Sequence, residues 1–384
     1  MRFGIVGARL SGSYLGLLLA GLGHDVIMFD GSVGGEKPCG GGVTPKALRT
    51  MSWFKTNNLP HTVIDTLQFV TRDGRTSEMS LRKPMHIFSR SLLDMALRRD
   101  AVAAGCSFIP QKALRFTSRS PAGWLVHTAS AAHEIDFLVG ADGVTSTVRR
   151  TVSSGFRAED LSLALGYYIP GCHHRNSVMT AFQEPGFQGY LWSFPRVDHS
   201  SVGILRWLPA ANAADLRTRL RGYIGAAYPE AAGQGRFYAA CIPCMDRRHL
   251  NEQHVCGPTW ALVGDAAGFA DPITGEGIYY ALRSAELLAE AVGSGDPAAY
   301  ESRWRRDFGH ELVRAAELRE RFYCGRLFGR SAAERAVHLA GRSLTAAGLV
   351  EQVIDGECTY DLMLRNLLVS SPRILWDTLV HRLH

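Results

Sequence analysis

Lysine is scarce in this chain. Among 384 residues only Lys37, Lys46, Lys55, Lys83 and Lys112 carry it, so the basic charge is almost all arginine, a bias that codon usage explains better than function does. Charge of one sign is also in short supply: the formal net charge is +6. That is mild for the length; it calls for no nucleic acid, though it suits phosphate groups or an anionic membrane surface. No apolar run approaches the ~20 residues of a membrane span. Met1-Arg2 leads straight into a short apolar strand with no signal-peptide cleavage pattern. The expectation is a cytoplasmic protein, with peripheral association as its form of membrane contact. Repeats and low-complexity segments are absent. Eight cysteines are scattered, and only Cys241-Ile-Pro-Cys244 has a C-x-x-C spacing. No second pair or histidine cluster completes a zinc site, so no metal is expected and the pair reads as strand filler. In a reducing compartment these cysteines are mostly free thiols.

What is present is an ordinary globular composition, 46% hydrophobic and 20% charged, which excludes disorder as the dominant state. Residues 2–7 read as a short buried strand, 12–23 as a helix rich in Leu, Ala and Gly, and 25–30 as a second strand ending in an acid: a β-α-β unit. A Gly-rich loop over 31–42 precedes a helix from Pro45. A hairpin is expected over 64–82 around Asp73-Gly74, a helix over 90–104, and short strands over 107–138. Aromatic and β-branched residues mark strands from about 164 to 208, followed by a helix over 212–227. A buried strand over 260–264 and a long helix over 275–293 come next. Beyond Asp296-Pro297 the chain is helical and arginine-rich to about 343, then mixed to the end.

Three glycine-rich segments carry chemistry. Gly7-Ala8-Arg9-Leu10-Ser11-Gly12 lies between strand and helix, with Gly16 four residues on and Asp30 closing the second strand. Gly7 permits a tight turn, and the helix start offers free N–H groups to a pyrophosphate. Gly12 and Gly16 allow close helix–strand packing, and Asp30 suits ribose hydroxyls. The middle glycine of this dinucleotide pattern is replaced by Arg9, which either blocks the phosphates or turns outward. Gly140-Ala141-Asp142-Gly143 follows the apolar strand Phe137-Leu138-Val139. Trp260-Ala261-Leu262-Val263-Gly264-Asp265 again ends a strand in Gly-Asp and leads to Asp271-Pro272-Ile273-Thr274-Gly275-Glu276-Gly277 and the long helix. Acids at the C-terminal edges of such strands point into the ligand cleft of an α/β sheet. Gly275 and Gly277, at a helix start, can face a developing negative charge.

In this order and spacing the three segments resemble the FAD-dependent oxidoreductases of the p-hydroxybenzoate hydroxylase type, over roughly residues 1–300. The resemblance implies that the first segment holds the FAD pyrophosphate, that Asp142-Gly143 lies near it, that Gly264-Asp265 binds the ribityl chain, and that Arg90 reaches FAD. Arginine in the second glycine position is a variant that such enzymes also show. Within that superfamily, Lys37-Pro38-Cys39-Gly40-Gly41-Gly42 and Tyr190-Leu191-Trp192-Ser193-Phe194-Pro195, with Gly203 later, are most like the geranylgeranyl reductase group. That group saturates isoprenoid double bonds with reduced FAD. The implied fold is α/β. A discontinuous Rossmann-like FAD-binding domain spans 1–63, 86–163 and 255–298. An inserted antiparallel substrate domain spans 64–85 and 164–254, and C-terminal helices occupy 299–384.

The residues agree with that picture. Tyr190, Trp192 and Phe194 alternate on a strand and so share one face, with Phe182 nearby. An aromatic wall suits a hydrophobic or lipid-like substrate and keeps water from a flavin; it also suits a plain sandwich core. Cys39, with Gly40 and Gly41 beside it, is a thiol left uncovered near a planar ring, either assisting the chemistry or merely a small loop residue. Candidates for the proton donor are Cys39, Tyr190 and a water, with Trp192 shaping the same site. FAD needs reduction by NAD(P)H or by a reduced electron-carrier protein, and no second strand–Gly-rich–helix unit for a nicotinamide is seen. The rival enzyme reading is a flavin monooxygenase on an aromatic or polyketide-like substrate. A halogenase is less favoured, because only Lys83 falls where its lysine would. A rival of another class is a non-catalytic FAD- or lipid-binding module using the arginines from Arg303 to Arg330. The acids interleaved with them favour an ordinary solvated helix.

Overall fold

The helix Leu10–Gly21 is apolar on every side and buried along most of its length, so it can form only inside a layered structure. Its flanking strands, Arg2–Val6 and Asp25–Phe29, pair in parallel with each other, and Phe137–Gly140 pairs in parallel on the far side of the first. The β-α-β unit expected at the N-terminus is thus the centre of a six-stranded sheet. Its order is Cys256–Gly257, Trp260–Leu262, Phe137–Gly140, Arg2–Val6, Asp25–Phe29, Ser107–Ile109. Gly23, with φ +81°, ends the first helix, its N–H donating to Ala20 O at 2.9 Å.

This computed structural model describes residues 1–32, 34–70, 76–119, 123–171, 177–182, 186–231, 233–327, 330–356 and 358–380. The chain divides into two units. One comprises Met1–Lys37, Arg90–Asp160 and Ile242–Val313, the other Pro38–Ser89, Leu161–Cys241 and Arg314–His384. The first unit holds the parallel sheet, the helix Arg90–Ala103, a small sheet over Arg115–Ile135, and the long helix Ile278–Gly293. That long helix starts at Ile278 rather than at Gly275, because Gly275 has φ +70° and belongs to the preceding turn.

The second unit is built on an eight-stranded sheet. Its order is Arg236–Pro243, Leu161–Pro170, His199–Trp207, Gly189–Pro195, Ser177–Phe182, His61–Val70, Thr76–Phe88, Gly42–Val43. The motif strand Gly189–Pro195 runs antiparallel to both neighbours, but Ser177–Phe182 lies parallel to His61–Val70. The expected hairpin is longer than 64–82, and its Asp73-Gly74 turn lies outside the described residues.

Asn212 caps the helix Ala213–Ala227, accepting from Ala214 and Asp215 N–H. Leu216, Leu220 and Ile224, spaced at i, i+4 and i+8, then bury one stripe of that helix against Leu165, Leu191, Val202 and Ile204. This covers one face of the sheet and leaves Tyr190, Trp192 and Phe194 on the other. The chain after residue 343, read as mixed, is helical over Leu344–Ile354 and Tyr360–Val380.

Candidate functional site

In the first unit the three glycine-rich segments converge. Gly7 has φ +99°, and a Cβ there would overlap Ala141 O; a Cβ on Gly12 would overlap Gly7 O and lie 3.1 Å from Ala141 Cβ. A Cβ on Gly264 would lie 3.0 Å from Ser11 Oγ. The helix that begins at Leu10 has no side-chain cap and no acid in its first turn, so its leading N–H groups stay available to an anion. Asp30 is half-buried. Its carboxylate accepts from Ala8 N–H at 2.9 Å and Ser32 N–H at 2.8 Å, which fixes it at the strand end with lone pairs to spare for hydroxyls.

Arg9 turns outward. Its guanidinium reaches Asp94 Oδ2 at 3.3 Å and Ser32 Oγ at 3.4 Å, so it leaves the turn open. Arg90 is buried and grips Asp94 at 2.9 Å. Glu36 caps the helix that Arg90 begins, accepting from Arg90 N–H at 2.6 Å and Ser91 N–H at 3.1 Å. Lys37 Nζ pairs with Asp265 Oδ2 at 2.9 Å.

Asp142 spends its carboxylate on its own turn. It accepts from the Ser146 hydroxyl, from Thr147 N–H at 2.6 Å and from Thr147 Oγ1 at 2.8 Å, while Gly143 follows with φ +78°. Arg149 ties that turn to the Gly-Asp turn by donating to Ala266 O at 3.1 Å; burial lowers its pKa to about 10. Pro272 O accepts the Cys244 thiol at 3.6 Å, and Gly275 N–H donates to Asp271 O at 2.9 Å. At the start of the long helix Glu276 takes Tyr279 N–H at 2.7 Å. Gly277 and Ile278 N–H remain as donors without a partner among the described residues. The donor set of this unit, free helix N–H groups with a fixed acid at the next strand end, fits a dinucleotide such as FAD.

In the second unit Cys39 sits in a held turn. Its carbonyl accepts from Arg196 Nη2 at 2.6 Å and from Ser201 Oγ at 2.9 Å, and its sulfur accepts Gly41 N–H at 3.3 Å. Gly41 has φ +89°, and a Cβ there would overlap Phe88 O. A Cβ on Gly40 would lie 2.6 Å from Phe194 Cε2, so the glycines are what let this turn rest on the aromatic strand. Tyr190 and Trp192 lie edge to face at 6.1 Å. Gly203, opposite Trp192 in the register, leaves room for the indole, since a Cβ there would overlap that ring. Beside these rings Arg196 is fully buried, and Ser201, the cross-strand partner of Phe194, also bonds the Tyr238 hydroxyl at 3.0 Å. Burial holds that phenol well above its usual pKa. The Phe182 side chain lies outside the described residues.

Sequence reasoning did not single out Glu36, Asp94, Arg149, Arg196, Ser201 or Tyr238 as site groups. Arg90 and Asp94 at i, i+4 were a visible signal for one pair, and Arg196 directly after the motif proline was another. Nothing local marked Tyr238. Asp160, Asp246 and His249 form the one cluster of metal-ligand type among the described residues. They are engaged with one another: His249 Nδ1 lies 2.6 Å from Asp160, and Asp246 caps the helix carrying His249.

No family model matches the chain. It is 28% identical over 354 residues to a digeranylgeranylglycerophospholipid reductase 2 of Methanothermobacter thermautotrophicus, covering 82% of this chain and 86% of that one. It is 26% identical to a menaquinone reductase of Mycolicibacterium smegmatis, covering 78% of each. The fold matches that of a geranylgeranyl bacteriochlorophyll reductase-like protein from Thermoplasma acidophilum, with TM-score 0.79, 19% identity and 98% of each chain covered. A halogenase, PltM, solved in complex with FAD, matches with TM-score 0.66 and 14% identity over 95% of this chain and 85% of that one. The fold is the one these flavoprotein neighbours share, and the chain is similar to FAD-dependent oxidoreductases. Among those it is similar to reductases of the geranylgeranyl type.

Proposed function

We propose that the protein is an FAD-dependent reductase saturating carbon–carbon double bonds of an isoprenoid, geranylgeranyl-type or other hydrophobic substrate. One arrangement carries the reading: the Cys39–Gly42 turn resting on Phe194 of the Tyr190-x-Trp192-x-Phe194-Pro195 strand, with the sulfur of Cys39 held by Gly41 N–H. The relatives' names point to a digeranylgeranyl phospholipid and to menaquinone, so the reading commits to a greasy chain and to no head group.

The N–H groups opening the first helix, with Gly7, Gly12 and Gly143, would hold the FAD pyrophosphate, and Asp30 its ribose. Asp265, Pro272, Gly275 and Gly277 would hold the ribityl and ring end. Reduced FAD supplies the hydride when bound. Tyr190, Trp192 and Phe194 orient the chain of the substrate and exclude water. The Gly41 N–H occupies a lone pair of Cys39 Sγ, which leaves the S–H to point away and deliver a proton to the second alkene carbon. Arg90 and Arg9, anchored on Asp94, set the cationic edge of the cofactor cleft. NAD(P)H or a reduced electron-carrier protein is the donor in this reading, and contact with a membrane is peripheral.

The test is anaerobic. Photoreduced, FAD-loaded protein is mixed with a prenyl lipid, and product mass is read alongside reoxidation of the flavin spectrum. Gain of two hydrogens per double bond without oxygen supports the reading. Turnover only in air, with oxygen incorporated, overturns it in favour of a monooxygenase. Cys39→Ala should retain FAD while losing at least about a hundredfold in turnover.

A further inference from the structure

Three arginines of the stretch that drew attention in the sequence are engaged in ion pairs: Arg305 holds Glu301 at 2.7 Å, Arg303 reaches Glu290 at 3.6 Å, and Arg314 holds Glu317 at 2.7 Å. A different surface stands uncovered. On the terminal helix Tyr360–Val380, Leu368 is 76%, Val369 75% and Trp376 68% exposed. Leu362 at 45% belongs to the same stripe, because 362, 365, 369, 372 and 376 follow at i, i+3 and i+4. The opposite face is the one that packs inward: Ile374 and Tyr360 are buried, and Asp377 accepts from Ser343 Oγ at 2.7 Å. That bond ties the start of the preceding helix to Asp377, and at that start Leu344 is 91% exposed.

The charges on this stripe are of one sign. Arg365 and Arg373 are exposed within it, and neither has an acidic partner among the described residues. Asp361, the acid at its edge, is neutralised by Arg314 Nε at 2.7 Å. Leucine, valine and tryptophan interleaved with unpaired arginine make a face that is poor at binding water and complementary to negative charge. Such a face suits the boundary between acyl chains and anionic head groups, where tryptophan sits at the interface and arginine stems extend to the phosphates. A second copy of the same face would instead bring four arginines together.

We propose that the exposed stripe of the terminal helix, from Leu362 to Trp376 with Leu344, docks the protein on an anionic lipid surface, lying in the interface rather than crossing it. The helix does not meet the requirements of a span. The inference gives a location to the peripheral membrane contact in the functional reading above and rests on that reading only for its biological sense.

The test is flotation of the FAD-loaded full chain with vesicles of phosphatidylcholine alone or with about one-third phosphatidylglycerol, without substrate. The wild type should float with the anionic vesicles and lose most binding at high salt. Leu368→Glu with Trp376→Glu should lower the bound fraction at least about tenfold, and Arg365→Glu with Arg373→Glu should do the same on anionic vesicles. Both variants should keep the flavin spectrum. Failure of the wild type to float overturns the proposal, as does equal flotation of wild type and both variants. A dimer in solution that Leu368→Glu with Trp376→Glu splits also overturns it, in favour of a second copy. No prenyl turnover enters the assay. Vesicle binding without reductase activity would therefore sink the functional reading alone, and activity without vesicle binding would sink the docking surface alone.

Discussion

The two units solve opposite problems with their polar groups. In the first, side-chain charges are paired off, Arg90 and Arg9 with Asp94 and Lys37 with Asp265, and backbone N–H groups at helix starts are left open. In the second, a buried cation, Arg196, donates to the backbone carbonyls of Cys39 and Gly40, beside a strand face made of aromatic rings. The first arrangement suits a ligand rich in phosphate and hydroxyl groups, which donors on rigid backbone recognise. The second suits an apolar ligand beside one reactive group whose direction must be fixed.

The sharpest way to break that comparison is at a glycine of each unit. Gly12→Val puts side-chain atoms onto Gly7 O, where the backbone cannot yield. It should cost at least about 3 kcal/mol and abolish retained FAD, read by the visible spectrum and a thermal melt. Gly203→Val overlaps the Trp192 indole, which can shift at a smaller cost of about 1–3 kcal/mol. That variant should stay yellow while prenyl turnover falls about a hundredfold. If Gly203→Val loses FAD and Gly12→Val keeps it, the division of labour is wrong.

The first unit was legible because its signals are local. Strand, glycine turn and helix lie within Arg2–Phe29, and the observed bounds depart from the expected ones by only a residue or two at each end. Asp30 stands where a strand ends, so its place follows from period and turn chemistry. The Tyr190-x-Trp192-x-Phe194 alternation was equally readable, and its three rings do share a face. The network beside that wall was not. Arg196 and Ser201 meet Cys39 across 157 and 162 residues of chain, and Tyr238 joins through Ser201. No periodicity encodes such a meeting. Asp142 illustrates the reverse case, since its motif was visible but not its commitment to Ser146 and Thr147. C-terminal helices were expected over 299–384, but the bounds after 343 were not readable, because Pro372 inside Tyr360–Val380 argues locally against the helix that forms.

Arg196 gives a smaller and finer contrast. Arg196→Lys keeps a cation but not the fork that reaches both Cys39 O and Gly40 O. It should lower kcat by about tenfold with FAD affinity and KM nearly unchanged, and Arg196→Met should lower kcat further. An equal loss of FAD in both would make Arg196 part of the general core instead.

The mildest expected effect concerns the thiols. In the first unit, burial pushes Cys106 up to about 11 and Cys256 up to about 12, the latter helped by Glu301 and Asp296. Cys39, in the second, is half-buried with its sulfur bonded to a backbone N–H. At about pH 8 a maleimide should therefore label Cys39 at least about tenfold faster than Cys106 or Cys256, read peptide by peptide in mass spectra. The raised pair also sets a direction for alkaline stability. Thiols of the unfolded chain ionise near ~9, while the folded ones hold their protons to higher pH. Raising the pH from ~9 towards 11 draws protons from the unfolded state alone, so the melting temperature should fall across that window. Cys106→Ala with Cys256→Ala should flatten the slope. A slope that the double substitution leaves unchanged would remove these two thiols as its source.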